Sequence, residues 1–392
     1  MLQWLHVIRG FIMSYNFCAS CLQRRQMPRH RKPATPDLQR TIPTSASRYS
    51  GNRHPATGAY HGRGTLHLQD RTRFEGRFVE GKRHGQGRLF LPDGTIIAGR
   101  FQRDVLSGKV QYTYPNGRSM VAIHDSNGVL DGPATEYVTS GLRVLAQGEY
   151  VCGRKVGVWM FGLEGGGTVC GPINDNGRVE GEDVEYQYPD GSRLRGVWKD
   201  DAMIDARYFP LPSPAHADPQ LATHYHHDPS THDRISRDPL LPDPYERRYV
   251  EVRPSTLQSA GEGLFVKVDV PGLHTIAFYN GTRITSAESD AREWSENANT
   301  LRLDIATVLD VPPPYNETAV YAATLGHKCN HWREGENAVF ERFDHPRFGQ
   351  IMCLRTIRDI AAGEEIFVDY NYHTKDKRTG KLIAPEWYLK DG

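Results

Sequence analysis

The chain has 392 residues, with 48 Lys/Arg against 47 Asp/Glu and a formal net charge of +1. At roughly 150 residues per domain this length suits two or three domains, and the even charge balance weighs against a bulk electrostatic binder of nucleic acid. Six cysteines make no disulfide framework, so a reducing compartment is expected, and no run of 18 apolar residues offers a transmembrane helix.

Residues 1–57 read as a basic, disordered tail. The first 36 residues carry six Lys/Arg (Arg9, Arg24, Arg25, Arg29, Arg31 and Lys32) and no Asp or Glu, and Leu2 to Met13 is largely apolar. Basic, acid-poor composition fits an organelle-targeting segment. It fits equally a plain tail, or an upstream extension with the start at Met13 or Met27. Cys18 and Cys21 have ligand-pair spacing, but a four-ligand zinc site needs a second pair, so no metal is expected.

Residues 58–208 hold 26 of the 38 glycines, in three series that keep step. Gly76, Gly99, Gly148, Gly171 and Gly196 form one. Gly85, Gly108, Gly132, Gly157 and Gly181 form the second, and Gly94, Gly117, Gly141, Gly166 and Gly191 the third. The second and third series step by 23 to 25 residues, and the first does so with one position skipped between Gly99 and Gly148, which marks an internal repeat. Pro92-Asp93-Gly94, Pro115-Asn116-Gly117 and Pro189-Asp190-Gly191 sit between short apolar runs. Proline presets its φ and glycine accepts the positive φ that closes a turn, so each unit reads as a β-hairpin, with Gly85-Gln86-Gly87 and its counterparts as the return to the next. One hairpin cannot bury a face alone, so neighbours must stack. Phe74-Glu75-Gly76-Arg77-Phe78, then Gly81-Lys82-Arg83-His84-Gly85-Gln86-Gly87 and Leu91-Pro92-Asp93-Gly94, resemble the MORN repeat. No catalytic set stands out in the array.

Residues 209–247 carry eight prolines between Pro210 and Pro244 and five histidines between His216 and His232. Proline blocks regular ladders, so this stretch reads as a linker. Its His224-Tyr225-His226-His227 tract could bind metal, but a linker would hold no fixed geometry.

Globular composition returns over 248–392. Three motifs stand out: Ser259-Ala260-Gly261-Glu262-Gly263, Leu325-Gly326-His327-Lys328-Cys329-Asn330-His331, and Gly363-Glu364-Glu365 leading to Asp369-Tyr370-Asn371-Tyr372. Each alone is weak: a turn, an isolated pair, a strand with amphipathic ends. Their order and spacing resemble the SET domain of protein lysine methyltransferases. With the preceding repeats, the chain resembles the histone lysine methyltransferases that carry MORN repeats ahead of a SET domain. The fold expected is mainly β, a MORN-repeat antiparallel β-hairpin array followed by a SET-domain β-fold.

That resemblance implies methyl transfer from S-adenosyl-L-methionine to a lysine of histone H3, its fourth residue, and to other basic protein tails. A free lysine has a pKa of about 10.4. Desolvation in a narrow channel beside the cofactor's positive charge lowers it, and the channel fixes the amine for in-line attack. By resemblance Tyr370 is the tyrosine at the transfer site, and Tyr279 and Tyr372 line the lysine channel. Ala260, Gly261 and Glu262 meet the cofactor's amino-acid end. Asn330 and His331 hold its amino-acid and adenine ends, Trp387 stacks on adenine, Asp391 stands where a glutamate contacts the cofactor, and Lys328 lies close by. Asp290 and Asn299 border the peptide groove.

The chain departs from the pattern in places. The stretch from His331 to Asn337 lacks the usual Ser and Pro and is one residue longer, placing bulky Trp332 beside the cofactor. Phe340 stands where a channel tyrosine is expected; without that hydroxyl, dimethyl-lysine is expected beside monomethyl-lysine. The resemblance further implies a nuclear, chromosomal monomer that binds no nucleic acid directly. A catalytically weak scaffold or binding protein remains the alternative, and a membrane-apposed adaptor working through the repeats a third.

Overall fold

The computed structural model describes residues 48–138, 143–211, 224–226, 235 and 241–371. The expected targeting segment, Cys18 and Cys21, and the site residues Tyr372, Trp387 and Asp391 lie outside the described residues. The chain forms two compact units that interleave in sequence. One runs through Gly162 and adds Val169–Val184 and Val197–Asp201; the other takes Leu163–Thr168, Glu185–Gly196 and the chain from Ala202 onward.

The first unit is an antiparallel sheet in chain order. Its strands are Arg48–Arg53, Tyr60–His67, Arg73–Val79, Lys82–Phe90, Ile96–Gln102, Val105–Thr113, Ser119–His124, Leu130–Val138, Arg143–Val151 and Arg154–Gly162, each paired with the next. The alternation in Arg73–Val79 shows why. Phe74 and Phe78 are 2% and 1% exposed, while Arg73, Glu75 and Arg77 point to the other face, as the period of two requires. The buried side is a continuous row: Leu66 lies opposite Phe74, Phe74 opposite Leu89, Leu89 opposite Ile97, Ile97 opposite Tyr112. Each such side chain contributes about 1.5–3 kcal/mol by leaving water. Gly76 and Gly87 face each other across this row. A Cβ on Gly76 would meet the Phe74 ring at 2.5 Å and the Gly87 Cα at 2.8 Å.

The Pro-Asp-Gly and Pro-Asn-Gly segments are turns, as expected. In the first, Gly94 has φ +88° and the Asp93 carboxylate accepts from the Thr95 amide at 2.8 Å. The return between hairpins differs from the expectation. Gly85 and Gly108 lie inside strands. The tight returns are Glu80-Gly81, Arg103-Asp104 and Cys152-Gly153, with both residues of each pair at positive φ. That is the two-residue turn whose twist matches an antiparallel pair. Arg103-Asp104 lacks the Asn-Gly or Asp-Gly signature that would have revealed it.

Two further expectations are corrected. Arg48–Arg53, placed in the tail, is a strand because its register puts Tyr49 opposite Leu66, with the Tyr49 ring stacked on Tyr60 at 3.9 Å. Within the expected linker, Tyr225–His226 pairs with the strand Ala202–Phe209. The Asp205 carboxylate lies 2.8 Å from His224 Nδ1 and 2.9 Å from His226 Nδ1. A two-residue strand is too short to show periodicity.

The second unit is built from small sheets. Thr275–Tyr279, Gly349–Thr356 and Ala338–His345 form one, in that order, around Phe278, Phe343 and Phe348, each at most 1% exposed. Val250–Pro254 pairs with Glu262–Val266. Thr307–Asp310 lies between Thr282–Thr285 and Thr300–Arg302. Segments of the repeat region belong to this unit. Glu164 donates its amide to Asp344 at 2.8 Å, and Arg355 donates to the Gly165 carbonyl at 3.0 Å. The Tyr188 ring stacks on Tyr245 at 4.9 Å. Buried Asp243 accepts from Tyr188, His345 and the Tyr245 and Glu246 amides at 3.0–3.1 Å. The last part of the expected linker is thus core.

Candidate active site

Asn330–His331 runs parallel to Phe367–Val368, with Asn330 opposite Phe367 and His331 opposite Val368. Two short strands from distant parts of the chain need fastening, and buried Asn337 supplies it. Its amide nitrogen donates to the Glu365 carbonyl at 2.8 Å, and its oxygen accepts from the Phe367 amide at 2.9 Å. His331 Nδ1 lies 3.0 Å from the Val368 carbonyl and 3.1 Å from the Tyr370 amide. This ties the Asn-His motif to the tyrosine that follows the Gly-Glu-Glu strand.

The Tyr370 hydroxyl donates to the Cys329 carbonyl at 2.7 Å, and its ring leans on His331 at 5.3 Å. The Tyr279 hydroxyl donates to the Asn299 carbonyl at 2.6 Å. Phe340 stands edge-on to Tyr279, ring centres 5.8 Å apart. The longer loop before it therefore leaves Phe340 against the tyrosine. His327 presents its edge to the other part of Tyr279's surroundings, at 6.4 Å, and burial lowers its pKa to about 3, so it is a neutral, aromatic wall. A phenol that gives its one hydrogen to a backbone carbonyl meets further groups as an acceptor. Both tyrosines are fixed in that role.

The loop before Glu262–Val266 is shaped for close approach. Gly261 has φ +74° and a Cβ there would meet nothing within 4 Å; Ala260 and Glu262 beside it are exposed. Lys328 Nζ and the Glu262 carboxylate form a 2.6 Å ion pair. The Asn330 amide nitrogen donates to the Glu262 carbonyl at 3.0 Å, Ser255 Oγ at 3.1 Å and Glu365 Oε1 at 3.1 Å. Open backbone, an amide side chain, and a cation beside a carboxylate suit the zwitterionic amino-acid end of a cofactor. Asp290 sits on the surface helix Ser286–Ala291, 72% exposed and 3.9 Å from Arg302. Asn299 also accepts from the Val311 amide at 3.0 Å. Trp332 is turned edge-to-face onto Phe367 at 5.1 Å and covers Gly335, where a Cβ would strike its ring.

Two carboxylates escaped the sequence reading. Glu365, 5% exposed, accepts from Ser255 Oγ at 2.7 Å, the Thr256 amide at 2.7 Å and Thr256 Oγ1 at 2.5 Å, besides Asn330. Burial alone would raise its pKa; these bonds to Thr256, Ser255 and Asn330 overcome that and hold it below the usual value. Glu246, 1% exposed, accepts from the Phe278 and Leu325 amides at 2.9 and 2.8 Å. It thereby joins the strand ending in Tyr279 to the turn carrying Lys328. Burial raises its pKa well above the ordinary value. The Gly-Glu-Glu motif held a signal for Glu365; Glu246 had none.

Three family models match the chain: the MORN repeat over residues 74–96, the N-terminal region of the histone H3 K4-specific methyltransferase SET7 over 150–221, and the SET domain over 261–371. The histone-lysine N-methyltransferase SETD7 of Halocynthia roretzi is 37% identical over 273 residues, 66% of this chain and 69% of that protein. A solved structure of ctPRC2, autoinhibited and bound to S-adenosylmethionine, matches with a TM-score of 0.26 and 23% identity over 32% of this chain and 15% of that chain, too slight a likeness to argue from. The parallel Asn330–His331 pairing, closed by Tyr370, lies within the span of the SET model, and the chain belongs to the SETD7 family of SET-domain histone-lysine N-methyltransferases. Its methyl donor is S-adenosyl-L-methionine.

Proposed function

We propose that this enzyme methylates a lysine in the tail of histone H3, the fourth residue, and other basic protein segments, with Tyr370 at the transfer site. The observation that supports this best is the Tyr370 hydroxyl bound to the Cys329 carbonyl beside the Asn330–His331 pair. S-adenosyl-L-methionine supplies the methyl group and a positive sulfonium. The chain's residues orient the nucleophile. The Tyr370 and Tyr279 oxygens would accept the two N–H bonds of the lysine amine, which leaves the nitrogen lone pair aimed away from both and free for the methyl group. Phe340 and neutral His327 keep the surroundings apolar, which favours the uncharged amine. The amine's proton leaves to solvent before transfer, so no side chain needs to store it.

Asn330, His331, Lys328 and the Ala260–Glu262 backbone hold the cofactor. Tyr372, Trp387 and Asp391, which lie outside the described residues, are assigned to the lysine channel and the cofactor on the resemblance alone. Asp290 and Asn299 border the peptide groove, where an exposed carboxylate favours a basic sequence. Glu365 and Glu246 are positioning residues. The repeat array, which includes Arg48–Arg53, and the catalytic region, whose core includes Asp243, act as a nuclear, chromosomal monomer. Among the described residues no helix is long and apolar enough to cross a membrane.

Incubation with isotopically labelled cofactor and mixed core histones, followed by mass spectrometry, tests the assignment. Label on an H3 tail lysine is expected. Full cofactor binding with no labelled product on any histone or basic peptide would favour the weak scaffold instead.

A further inference from the structure

The near-zero total charge conceals segments of opposite sign. Residues 48–103 carry eleven Arg/Lys against four Asp/Glu, and residues 104–211 carry ten against fifteen. Strand register sorts the first group further. On the face opposite Phe74 and Phe78, Arg63 lies directly across from Arg77, and Arg77 from His84. A second row places Arg48 across from His67, and His67 from Arg73. Arg88 and Arg100 extend the face onto the next two strands, and both are exposed. Glu75 is the acid in these rows, 3.4 Å from Arg73 and across from Arg88.

Like charges directly across a strand pair destabilise a sheet. A stacked hairpin needs only its other face apolar, so nothing in the fold calls for this arrangement. Arginine, moreover, dominates over lysine, and its planar fork matches phosphate oxygens in pairs. Three kinds of polyanion could lie on such a face. A membrane interface takes up apolar side chains as well as basic ones, yet between residues 48 and 103 Val79, 40% exposed, is the large apolar side chain offered. An extended acidic peptide presents at most one charge per about 3.3 Å. Duplex DNA presents one per about 1.7 Å of axis. The face is two rows deep: Arg63 and Arg77 lie four residues, about 13 Å, along the strands from His67 and Arg73, so one extended peptide would follow a single row, whereas a duplex presents phosphates on both edges of a major groove about 12 Å wide.

We propose that this face docks on the phosphate backbone of duplex DNA, without reading sequence. It goes beyond methyl transfer and does not depend on it. The test uses the full chain, a fluorescein-labelled 20-base-pair duplex and anisotropy between 50 and 200 mM salt. With about four phosphates neutralised, the log–log salt slope is about −3.6, roughly a hundredfold loss of affinity across that range. Two duplexes of unrelated sequence should bind alike. Combined R63E, R77E and R88E should abolish binding while methylation of a free peptide stays at the wild-type rate. Should the reversed set fail to fold, R63Q, R77Q and R88Q should still lower affinity and flatten the slope by about 2 to 3 units. Unchanged binding in the folded variant overturns the proposal. So does wild-type chain that sediments with phosphatidylserine vesicles but leaves the duplex free.

Discussion

Replacing Glu365 by glutamine keeps the side chain's size and removes its charge. The carboxylate accepts four hydrogen bonds, from Ser255, Thr256 twice and Asn330. Hydrogen bonds to a charged group contribute about 1.5–3 kcal/mol against about 0.5–1.5 for neutral ones, so each loses about 1 kcal/mol. The glutamine amide must also turn a donor toward one of these donors. These bonds bear on cofactor binding by two routes, through Asn330 and through the Ser255–Thr256 turn that leads into Gly261. About 2 kcal/mol of that loss should appear in cofactor binding, ~30-fold at 1.36 kcal/mol per factor of ten. Titration calorimetry with S-adenosylhomocysteine reads the affinity, and initial rates at saturating cofactor read turnover. E365Q should weaken binding ~30-fold by this reckoning and leave saturated turnover within a few-fold. Its pH behaviour has a definite sign. A carboxylate held below its ordinary pKa stabilises the fold above the unfolded value, and that stability is lost as pH falls through the folded value. Wild type should therefore lose stability below about pH 4.5 more steeply than E365Q. Affinity within threefold of wild type would refute the bracing role.

Three further outcomes follow from the same contacts. N330A removes the amide that ties Glu262 and Ser255 to Glu365 and leaves buried Glu365 short of a partner, at about 1–3 kcal/mol; cofactor retention on a desalting column should be lost. F340Y places a hydroxyl beside Tyr279, a hydrogen bond of about 0.5–1.5 kcal/mol, and should shift product from dimethyl toward monomethyl-lysine in mass spectra of long reactions. Only monomethyl product from both forms contradicts this. E246A strands the Phe278 and Leu325 amides and should cost about 2–4 kcal/mol in urea unfolding, whereas E246Q should cost far less. Because the Glu246 pKa is raised, wild-type stability from this group is present below the unfolded value and declines as pH rises toward the folded one; E246Q should lack that decline.

The repeat was legible because its constraints are local. Gly94 and Gly117 must accept positive φ one residue after Asp93 and Asn116, and such spacing survives in any listing of the residues. The Asn-His and Tyr-Asn-Tyr motifs were legible as motifs, and the structure brings Asn330, His331 and Tyr370 together across 40 residues of sequence. What was hidden are bonds between a side chain and a distant backbone amide. Glu365 reaches Thr256 over 109 positions, and Glu246 reaches Leu325 over 79. Neither distance leaves a periodicity. The same holds for Glu164 and Gly165, which read as a repeat turn but bond to Asp344 and Arg355 of the second unit. The Arg103-Asp104 return was hidden for another reason: Asp104 is held at positive φ by its bonds to Arg83, at 2.9 Å to the amide and 3.0 Å to Nε, rather than by being glycine.

The most direct measurement is methyl transfer to an H3 tail peptide by wild type and Y370F, read beside cofactor affinity. Phenylalanine keeps the ring on His331 and removes the hydroxyl bound to Cys329. An oriented group at a transfer site contributes about 2.7–4 kcal/mol, so turnover should fall about a hundredfold to a thousandfold while cofactor affinity stays within a few-fold. Near-full turnover in Y370F, with the peptide methylated at the same lysine, would contradict the placing of Tyr370 at the point of transfer.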